Sequence, residues 1–391
     1  MEIDLENIKD RILFHSEYVK SVDMVMRDGY PHAIIYPNFK TLQEKNIINI
    51  ESEIRWYGVE LYNMEVEQNH KIRSYEIVSD ELEAMDEPKD EVYATLKNYI
   101  SKVTKETIHP SSHLELDLGF DSLDYVELFI FIQQSFGVEI DEVTFAKMMR
   151  VDALYNYIDE HKKVLKSLEV DWDEVLKEDI DEKLIYSPFI MFFYKTVLFP
   201  FFKLYLGMEL KGVQNIPKSP CIIAPNHQSM LDGFLIESTL PYKILKRSFF
   251  LAYKQVFGTD LLKPIATYGQ SILIDANEDL KHTMQYCALP LKEGNNLVIF
   301  PEGARTRDRE LLEFRPFFAM LSKTFNLPIV PVVIDGSFEA LESGKILPRP
   351  KKVKVTYLKP IQPENLSYEE LSQKVKTAIA QEMIKHPIKA G

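Results

Sequence analysis

Short apolar runs alternate with stretches of helical spacing along the second half of the chain. The apolar runs predict buried strands at 221–224, 248–251, 271–274, 297–300, 329–334 and 352–358. Helical spacing follows at 280–291 and 367–383, and Ser367 with Glu370 has the spacing of a capping box. Strands that alternate with helices predict an α/β sheet with helices on both faces.

The first half has a different pattern, in which an acidic, proline-containing segment separates two folded regions. Residues 5–14 and 47–66 predict helices, and 22–26, 33–36 and 73–78 predict strands, the first two joined by a turn at Asp28 and Gly29. Residues 91–165 have helical spacing throughout. We therefore predict a small α+β domain at 1–88, a helical domain at 91–165, an acidic linker at 166–183, and the α/β domain at 184–386.

The most apolar stretch is 184–206, which is long enough in principle to cross a bilayer, since about 20 apolar residues suffice. Pro188, Pro200, Lys195 and Lys203 interrupt it. A charge near the bilayer centre costs on the order of 3 kcal/mol on insertion scales. These features favour two broken, aromatic-rich helices in the membrane interface, with the lysines reaching toward water. A pair of buried core helices is the alternative.

Charge is divided unevenly along the chain, with a net −21 over residues 1–190 and +7 over 191–391. An acidic front half and a basic back half suggest a soluble carrier beside a surface that meets anionic lipid. Nucleic acid is a rival partner for a basic surface, but the sequence has no nucleic-acid motif, and we expect none. The two cysteines lie in apolar contexts and imply no disulfides. Together with the interrupted apolar stretch and the acidic first residues, the absence of implied disulfides predicts a peripheral or monotopic protein on the cytoplasmic side of a membrane.

His227 and Asp232 are the first candidates for chemistry. A hydroxyl is a poor nucleophile until a base removes its proton, and histidine is the usual base near neutral pH. An aspartate on the other ring nitrogen fixes the tautomer and steadies the imidazolium. Five residues correspond to about 140° around a helix, so the pair can meet only if His227 precedes a helix and Asp232 lies in its first turns. A histidine after a strand can also be purely structural.

A second block supports the catalytic interpretation. Residues 297–300 predict a strand, and Pro301, Glu302 and Gly303 follow at its carboxyl end, where sites of α/β sheets gather. Arg305, with Arg307 close by, offers a guanidinium that suits phosphate. The sequence indicates no metal site.

Four motifs stand in order: Asn226 to Asp232, Gly269 to Asp275, Phe300 to Thr306, and Val330-Pro331-Val332. Residues 184–386 thereby resemble the glycerolipid acyltransferase family, which includes 1-acylglycerol-3-phosphate acyltransferases. The resemblance implies His227 as base, Asp232 as its orienter, and Glu302, Gly303 and Arg305 as residues that bind the acceptor phosphate. Ala276 stands where the family usually has arginine, which leaves the acceptor head group open, and Ala304 for threonine is a milder departure.

Ser122 lies in Gly119-Phe120-Asp121-Ser122-Leu123, with acidic residues along the helix that follows. A serine there can be a helix N-cap. Residues 91–165, however, resemble an acyl carrier protein. The resemblance implies a four-helix bundle for this domain, and it implies that Ser122 carries covalent 4′-phosphopantetheine, added by a phosphopantetheinyl transferase. The cofactor would supply the thiol for an acyl thioester.

Residues 1–88 resemble the C-terminal lid subdomain of acyl-adenylating enzymes, although the Gly-Lys that ends that subdomain is missing. A docking or vestigial role is therefore favoured, and a separate acyl-adenylating chain is an expected partner. As a whole the sequence resembles fused acyl-acyl carrier protein synthetase/lysophospholipid acyltransferases, without most of the synthetase. The resemblance implies transfer of a fatty acyl group from a phosphopantetheine thioester, on acyl carrier protein or coenzyme A, to a lysophospholipid hydroxyl. Acylation of a non-phosphate lysolipid and a non-catalytic carrier and membrane scaffold are the alternatives.

Overall fold

The computed structural model describes residues 4–66, 70–79, 87–165, 172–253, 263–274, 280–306, 308–341 and 347–385. It divides into two compact units, one formed by Met1–Asp171 with Ala276–Lys281 and the other by Trp172–Asp275 with His282–Gly391. The first unit therefore contains both the α+β and the helical regions that the sequence separates at 88–91.

The first unit begins with a helix and a three-stranded sheet. Its elements up to residue 79 are α1 (Leu5–His15), β1 (Val19–Arg27), β2 (Tyr30–Pro37), α2 (Phe39–Glu44), α3 (Ile50–Ile54), a π-helical turn (Arg55–Glu60), α4 (Leu61–Glu65) and β3 (Ser74–Ile77). β1 and β2 form an antiparallel hairpin, and β3 pairs in parallel with β2. Asp28 and Gly29 have φ of 51° and 80°, the left-handed turn that a two-residue hairpin needs.

Four helices lie within residues 87–165: α5 (Glu91–Val103), α6 (Ser122–Phe136), α7 (Glu142–Phe145) and α8 (Val151–His161). The loop before α6 is held against the preceding region of the same unit. Glu115 accepts hydrogen bonds from the backbone N–H groups of Ile50 (2.8 Å) and Glu51 (2.9 Å), at the amino end of α3. A carboxylate is favourable at that position because the first N–H groups of a helix lack partners.

The second unit is built on a seven-stranded sheet in the order β4-β10-β9-β5-β8-β6-β7. The strands are β4 (Glu209–Lys211), β5 (Ile222–Pro225), β6 (Ser248–Tyr253), β7 (Ser271–Ile274), β8 (Asn296–Val298), β9 (Ile329–Asp335) and β10 (Lys354–Tyr357). All neighbouring pairs are parallel except β9 with β10. The central strands β5, β8 and β9 are buried, apart from the last residue of β9, as their apolar runs predict.

The helices of this unit are α9 (Trp172–Lys177), α10 (Pro188–Phe193), a π-helical turn (Tyr194–Leu198), α11 (Phe199–Tyr205), α12 (Asp232–Thr239), α13 (Tyr242–Leu245), α14 (Lys263–Tyr268), α15 (Leu280–Lys292), α16 (Phe317–Thr324), α17 (Ser337–Ala340) and α18 (Tyr368–Lys385). The predicted capping box at the start of α18 is confirmed. Ser367 N–H donates to Glu370 (2.8 Å) and Glu370 N–H donates to the Ser367 hydroxyl (3.2 Å).

The prediction of a linker over 166–183 is wrong for its second part. Residues 172–177 form α9, in which Val175 and Leu176 are buried. The Gln285 amide donates to the Val175 carbonyl at 3.1 Å, and Lys292 pairs with Asp179 at 2.9 Å. Residues 166–171 lie outside the described residues.

Residues 188–205, hereafter the aromatic segment, are helical without a break, which corrects the prediction of two broken helices. Pro188 starts the segment, and the π-helical turn precedes Pro200, with Phe199 N–H donating to the Tyr194 carbonyl five residues back. Such a turn accommodates the proline without ending the helix. Within the described residues, none of the helices combines the length and apolar character needed to cross a membrane.

The expectation for Lys195 is also corrected. Lys195 does not reach toward water, because its ammonium donates to the carbonyl oxygens of Leu240 (2.6 Å) and Ser238. Phe202 is buried in the core of the second unit. The exposed apolar side chains are instead Phe189, Phe192, Phe193, Val197, Phe201 and Leu204.

Candidate active site

The site lies where β5 ends, beside the end of β8. Asn226, directly after β5, is fully buried and bonds both ways with β9: its amide donates to the Ile334 carbonyl (2.9 Å) and its oxygen accepts from Ile334 N–H (2.7 Å). These bonds fix the point at which the chain leaves the sheet. The following residue, His227, therefore starts from a rigid base.

His227 and Asp232 meet as the sequence predicts. His227 precedes α12, Asp232 is its first residue, and His227 Nδ1 lies 2.9 Å from Asp232 Oδ2. The same oxygen accepts the backbone N–H groups of Gln228 (2.6 Å) and Ser229 (2.7 Å). Asp232 is fully buried, and these donors hold its carboxylate toward the imidazole. The contact places the ring proton on Nδ1 and leaves Nε2 as the nitrogen that can act as a base.

The surroundings of His227 favour a neutral imidazole. Burial lowers the pKa of His227, and the nearby Arg305 charge lowers it further, while the hydrogen bond and charge of Asp232 raise it. The ring stacks on Phe300 at 4.2 Å between centroids. Its side chain is 22% exposed, so an acceptor hydroxyl can approach it. A neutral, oriented and accessible imidazole is what general base catalysis requires.

The loop after β8 clamps the backbone of His227. Glu302 Oε1 accepts His227 N–H at 2.6 Å, and Thr306 N–H donates to the His227 carbonyl at 2.9 Å. Glu302 Oε2 accepts Leu312 N–H at 2.9 Å. Burial raises the pKa of Glu302 to about 7, and the two backbone donors oppose that rise. Both carboxylate oxygens thus act on the backbone, which makes Glu302 a positioning residue in this structure.

Gly303 and Arg305 lie on the same loop. Gly303 has φ of 63°, which favours glycine, and its N–H donates to the Phe300 carbonyl at 3.1 Å. Arg305 is half-buried, and its charge acts on His227. Contact of Glu302, Gly303 and Arg305 with an acceptor phosphate stays a prediction. Arg307, Asp275 and Ala276 lie outside the described residues.

The predicted attachment point, Ser122, is the first residue of α6. The cap of this helix is Asp121: Asp124 N–H donates to its carboxylate at 3.1 Å, and Asp121 N–H donates to Asp124 at 2.8 Å. Because Asp121 already caps the helix, the backbone does not need Ser122 for that purpose. Asp121 rather than Ser122 therefore occupies the N-cap position of α6, and modification of Ser122 stays a prediction.

Sequence reasoning singled out neither the structural role of Asn226 nor the contacts of Thr306 and Lys195. Asn226 and Thr306 lie inside the quoted motifs, but their partners are backbone groups far away in sequence, and a spacing pattern cannot reveal those. In the sequence, Lys195 stands out only as a charge that interrupts an apolar stretch.

Comparison with known proteins identifies both regions. Residues 207–335 match the family model described as Acyltransferase, and residues 94–158 match the model described as Phosphopantetheine attachment site. The chain therefore contains an acyltransferase domain and a phosphopantetheine attachment domain, and the resemblances drawn from the motifs of these two regions are confirmed.

The curated relatives are similar over the acyltransferase domain. A 1-acyl-sn-glycerol-3-phosphate acyltransferase of Limnanthes douglasii is 30% identical over 174 residues, or 44% of this chain and 60% of that protein. One of Saccharomyces cerevisiae is 32% identical over 44% of this chain and 57% of that protein. The chain thus spans less than two thirds of either relative. A solved 1-acyl-sn-glycerophosphate acyltransferase of Thermotoga maritima aligns with a TM-score of 0.44 and 24% identity, over 52% of this chain and 79% of that one.

Proposed function

We propose that this protein transfers a fatty acyl group from a phosphopantetheine thioester to the hydroxyl of a lysophospholipid, with His227 as the general base. The observation that carries the proposal is the contact between His227 Nδ1 and the buried Asp232, at the carboxyl end of a central strand of an acyltransferase domain. The phosphopantetheine attachment domain in the same chain supports a thioester donor.

The chemistry of this chain follows from the site. His227 Nε2 takes the proton of the acceptor hydroxyl as its oxygen bonds to the acyl carbon, and Asp232 stabilises the imidazolium that forms. The imidazolium then gives that proton to the sulfur that leaves when the C–S bond breaks. Glu302 and Thr306 hold the backbone of His227, so the ring keeps its position through both proton transfers. The products are the acylated lipid and a free thiol.

We place the prosthetic group on Ser122. When attached, it supplies the thiol that carries the acyl chain as a thioester. The position of Ser122 at the start of α6, with Asp121 as the cap, supports the assignment. A phosphopantetheinyl transferase is then a required partner, and acyl carrier protein or coenzyme A thioesters are further candidate donors.

The aromatic segment would attach the protein to the cytoplasmic face of a membrane. Phe189, Phe192 and Leu204 are 78%, 61% and 83% exposed, and large apolar side chains of this kind favour the lipid interface over water. The net charge of +7 over residues 191–391 adds attraction to anionic lipid. For residues 1–88, the likeness to the lid of acyl-adenylating enzymes supports a docking role toward a separate adenylating chain.

A panel experiment tests the proposed function. Purified chain, loaded or supplied with acyl-CoA or acyl carrier protein, is mixed with lysolipids that differ in head group, and products are identified by mass. We expect acylation of lysophospholipids that bear phosphate. Acylation of non-phosphate lysolipids alone would contradict the proposed acceptor, and no acylation of any lysolipid would leave the non-catalytic scaffold as the better account.

A further inference from the structure

The catalytic pair and the aromatic segment are connected by one helix. α12 begins with Asp232 and ends with Thr239. At its carboxyl end, the ammonium of Lys195 on the aromatic segment donates to the carbonyl oxygens of Leu240, at 2.6 Å, and Ser238. The eight residues of α12 therefore join the orienter of His227 at one end to Lys195 at the other.

The Lys195 ammonium lies at the carboxyl end of a helix, where a cation is favourable. The last carbonyl groups of a helix lack partners within the helix and carry partial negative charge, so a cation is favourable there. The Lys195 side chain is half-buried, and this burial lowers its pKa to about 8. An ammonium used only for membrane attachment would instead remain in contact with water or lipid head groups.

Tyr194, the residue before Lys195, also connects the aromatic segment to α12. The Tyr194 hydroxyl lies beside Glu237 of α12, and burial raises the pKa of that carboxyl well above its ordinary value. The Tyr194 ring meets the Phe234 ring edge to face, with 6.5 Å between centroids. Met191, Tyr194 and Phe202 also belong to the same apolar core as Leu235 and Ile236. Two consecutive residues of the aromatic segment therefore hold α12, Lys195 by hydrogen bonds and Tyr194 by packing.

We propose that Lys195 is a positioning residue for acyl transfer. By holding the carboxyl end of α12, it fixes the helix along its axis and thereby keeps Asp232 within hydrogen-bond distance of His227. The inference rests on the proposed function for its activity readout. It makes the aromatic segment part of the active-site scaffold as well as the proposed membrane attachment.

Lys195→Met is the direct test, because it removes the ammonium and keeps an unbranched side chain. Lys203→Met is the matched control: Lys203 lies on the same segment, and its ammonium binds the Met208 carbonyl at 3.0 Å, away from α12. We expect Lys195→Met to lower kcat at least tenfold, with KM for lysolipid and vesicle binding unchanged. Lys195→Arg should recover part of the loss, and Lys203→Met should remain close to wild type.

Two further readouts separate positioning from a general loss of structure. The rise of kcat with pH should occur at lower pH in Lys195→Met. A weaker contact with Asp232 raises the pKa of His227 less, so the imidazole becomes neutral at a lower pH. The NMR signal of the His227 Nδ1 proton, which needs no substrate, should shift in Lys195→Met and not in Lys203→Met. If Lys195→Met does not fold, Tyr194→Phe, which removes the hydroxyl beside Glu237, takes its place with the same expectations.

The outcomes distinguish the two proposals. Equal losses in Lys195→Met and Lys203→Met, a loss of vesicle binding alone, or an unchanged Nδ1 proton signal would overturn the positioning role even if the wild type is active. A wild type that acylates no lysolipid, while the Nδ1 proton signal still shifts in Lys195→Met, would refute the proposed function and retain the positioning contact.

Discussion

At the scale of single residues, His227 is held at three points. Asp232 binds its ring, Glu302 accepts its backbone N–H, and Thr306 donates to its carbonyl. A misplacement of about 1 Å can cost 10²-fold in rate, so residues that fix a base contribute to catalysis without touching the substrate. The two loops that follow β5 and β8 therefore act together.

His227→Ala should abolish acyl transfer, since general base help is typically worth about 10²–10⁴-fold. The variant should keep the fold, because the backbone contacts of residue 227 do not use its side chain. Initial rates with lysolipid and donor measure the effect, and circular dichroism checks the fold. Near-normal turnover in His227→Ala would show that another group is the base.

Asp232→Asn should change the pH dependence as well as the rate. The base must be neutral, so kcat rises as pH rises through the pKa of His227, which burial lowers from the usual value of about 6.5. Asp232 raises that pKa, and its replacement should move the acid limb to still lower pH, with a plateau at least tenfold lower. A limb that stays in place or moves to higher pH would contradict the assigned role of Asp232.

Glu302→Gln distinguishes a positioning role from contact with the acceptor phosphate. An amide has one accepting oxygen, so either His227 or Leu312 loses the acceptor of its backbone N–H. We expect kcat to fall about 10–100-fold, with KM for lysolipid changed little. Steady-state kinetics give both values. A rise in KM at constant kcat would instead indicate that Glu302 binds the acceptor.

At the scale of elements, strands and most helices could be predicted because their apolar spacing is local. β5, β9 and α18 lie within one or two residues of their predicted ends. The continuous aromatic segment could not be predicted, because Pro188 and Pro200 are ordinary helix boundaries by sequence, and the π-helical turn depends on packing against α12. The buried position of Phe202 and the carbonyl partners of Lys195 are likewise set by tertiary contacts.

The aromatic segment should determine membrane attachment. Replacing Phe189 and Phe192 by aspartate places charges on its exposed face and should abolish binding to vesicles that contain anionic lipid. Wild-type binding should weaken with salt, because part of it is electrostatic. Vesicle sedimentation measures both effects. Phe14→Asp, at an 87% exposed position in the other unit, is the control. Equal vesicle binding by the Phe189/Phe192 variant and the Phe14 variant would contradict interfacial attachment. Wild-type binding that survives both high salt and carbonate extraction would contradict it as well.

At the scale of the whole molecule, the chain combines an attachment domain and an acyltransferase domain. The sequence predicted both domains and the His227–Asp232 contact, because their motifs are short and ordered. It could not predict that Glu115 holds the loop before α6 against α3, because that contact joins residues more than sixty positions apart. Under the proposed function, a loaded Ser122 would have a high local concentration of acyl group in the same chain, in the millimolar range for a short flexible tether.

Single-turnover transfer from the loaded chain tests this account most directly. A phosphopantetheinyl transferase moves a labelled acyl-phosphopantetheine group from acyl-CoA to Ser122, the unused acyl-CoA is removed, and lysolipid is added with no other donor. We predict product at a first-order rate that is independent of protein concentration. The His227→Ala variant should load but make no product. The Ser122→Ala variant should neither load nor transfer. Supplying Ser122→Ala with acyl-CoA then tests whether its acyltransferase domain is intact. A rate that rises linearly with protein concentration, or product from loaded His227→Ala, would contradict the account.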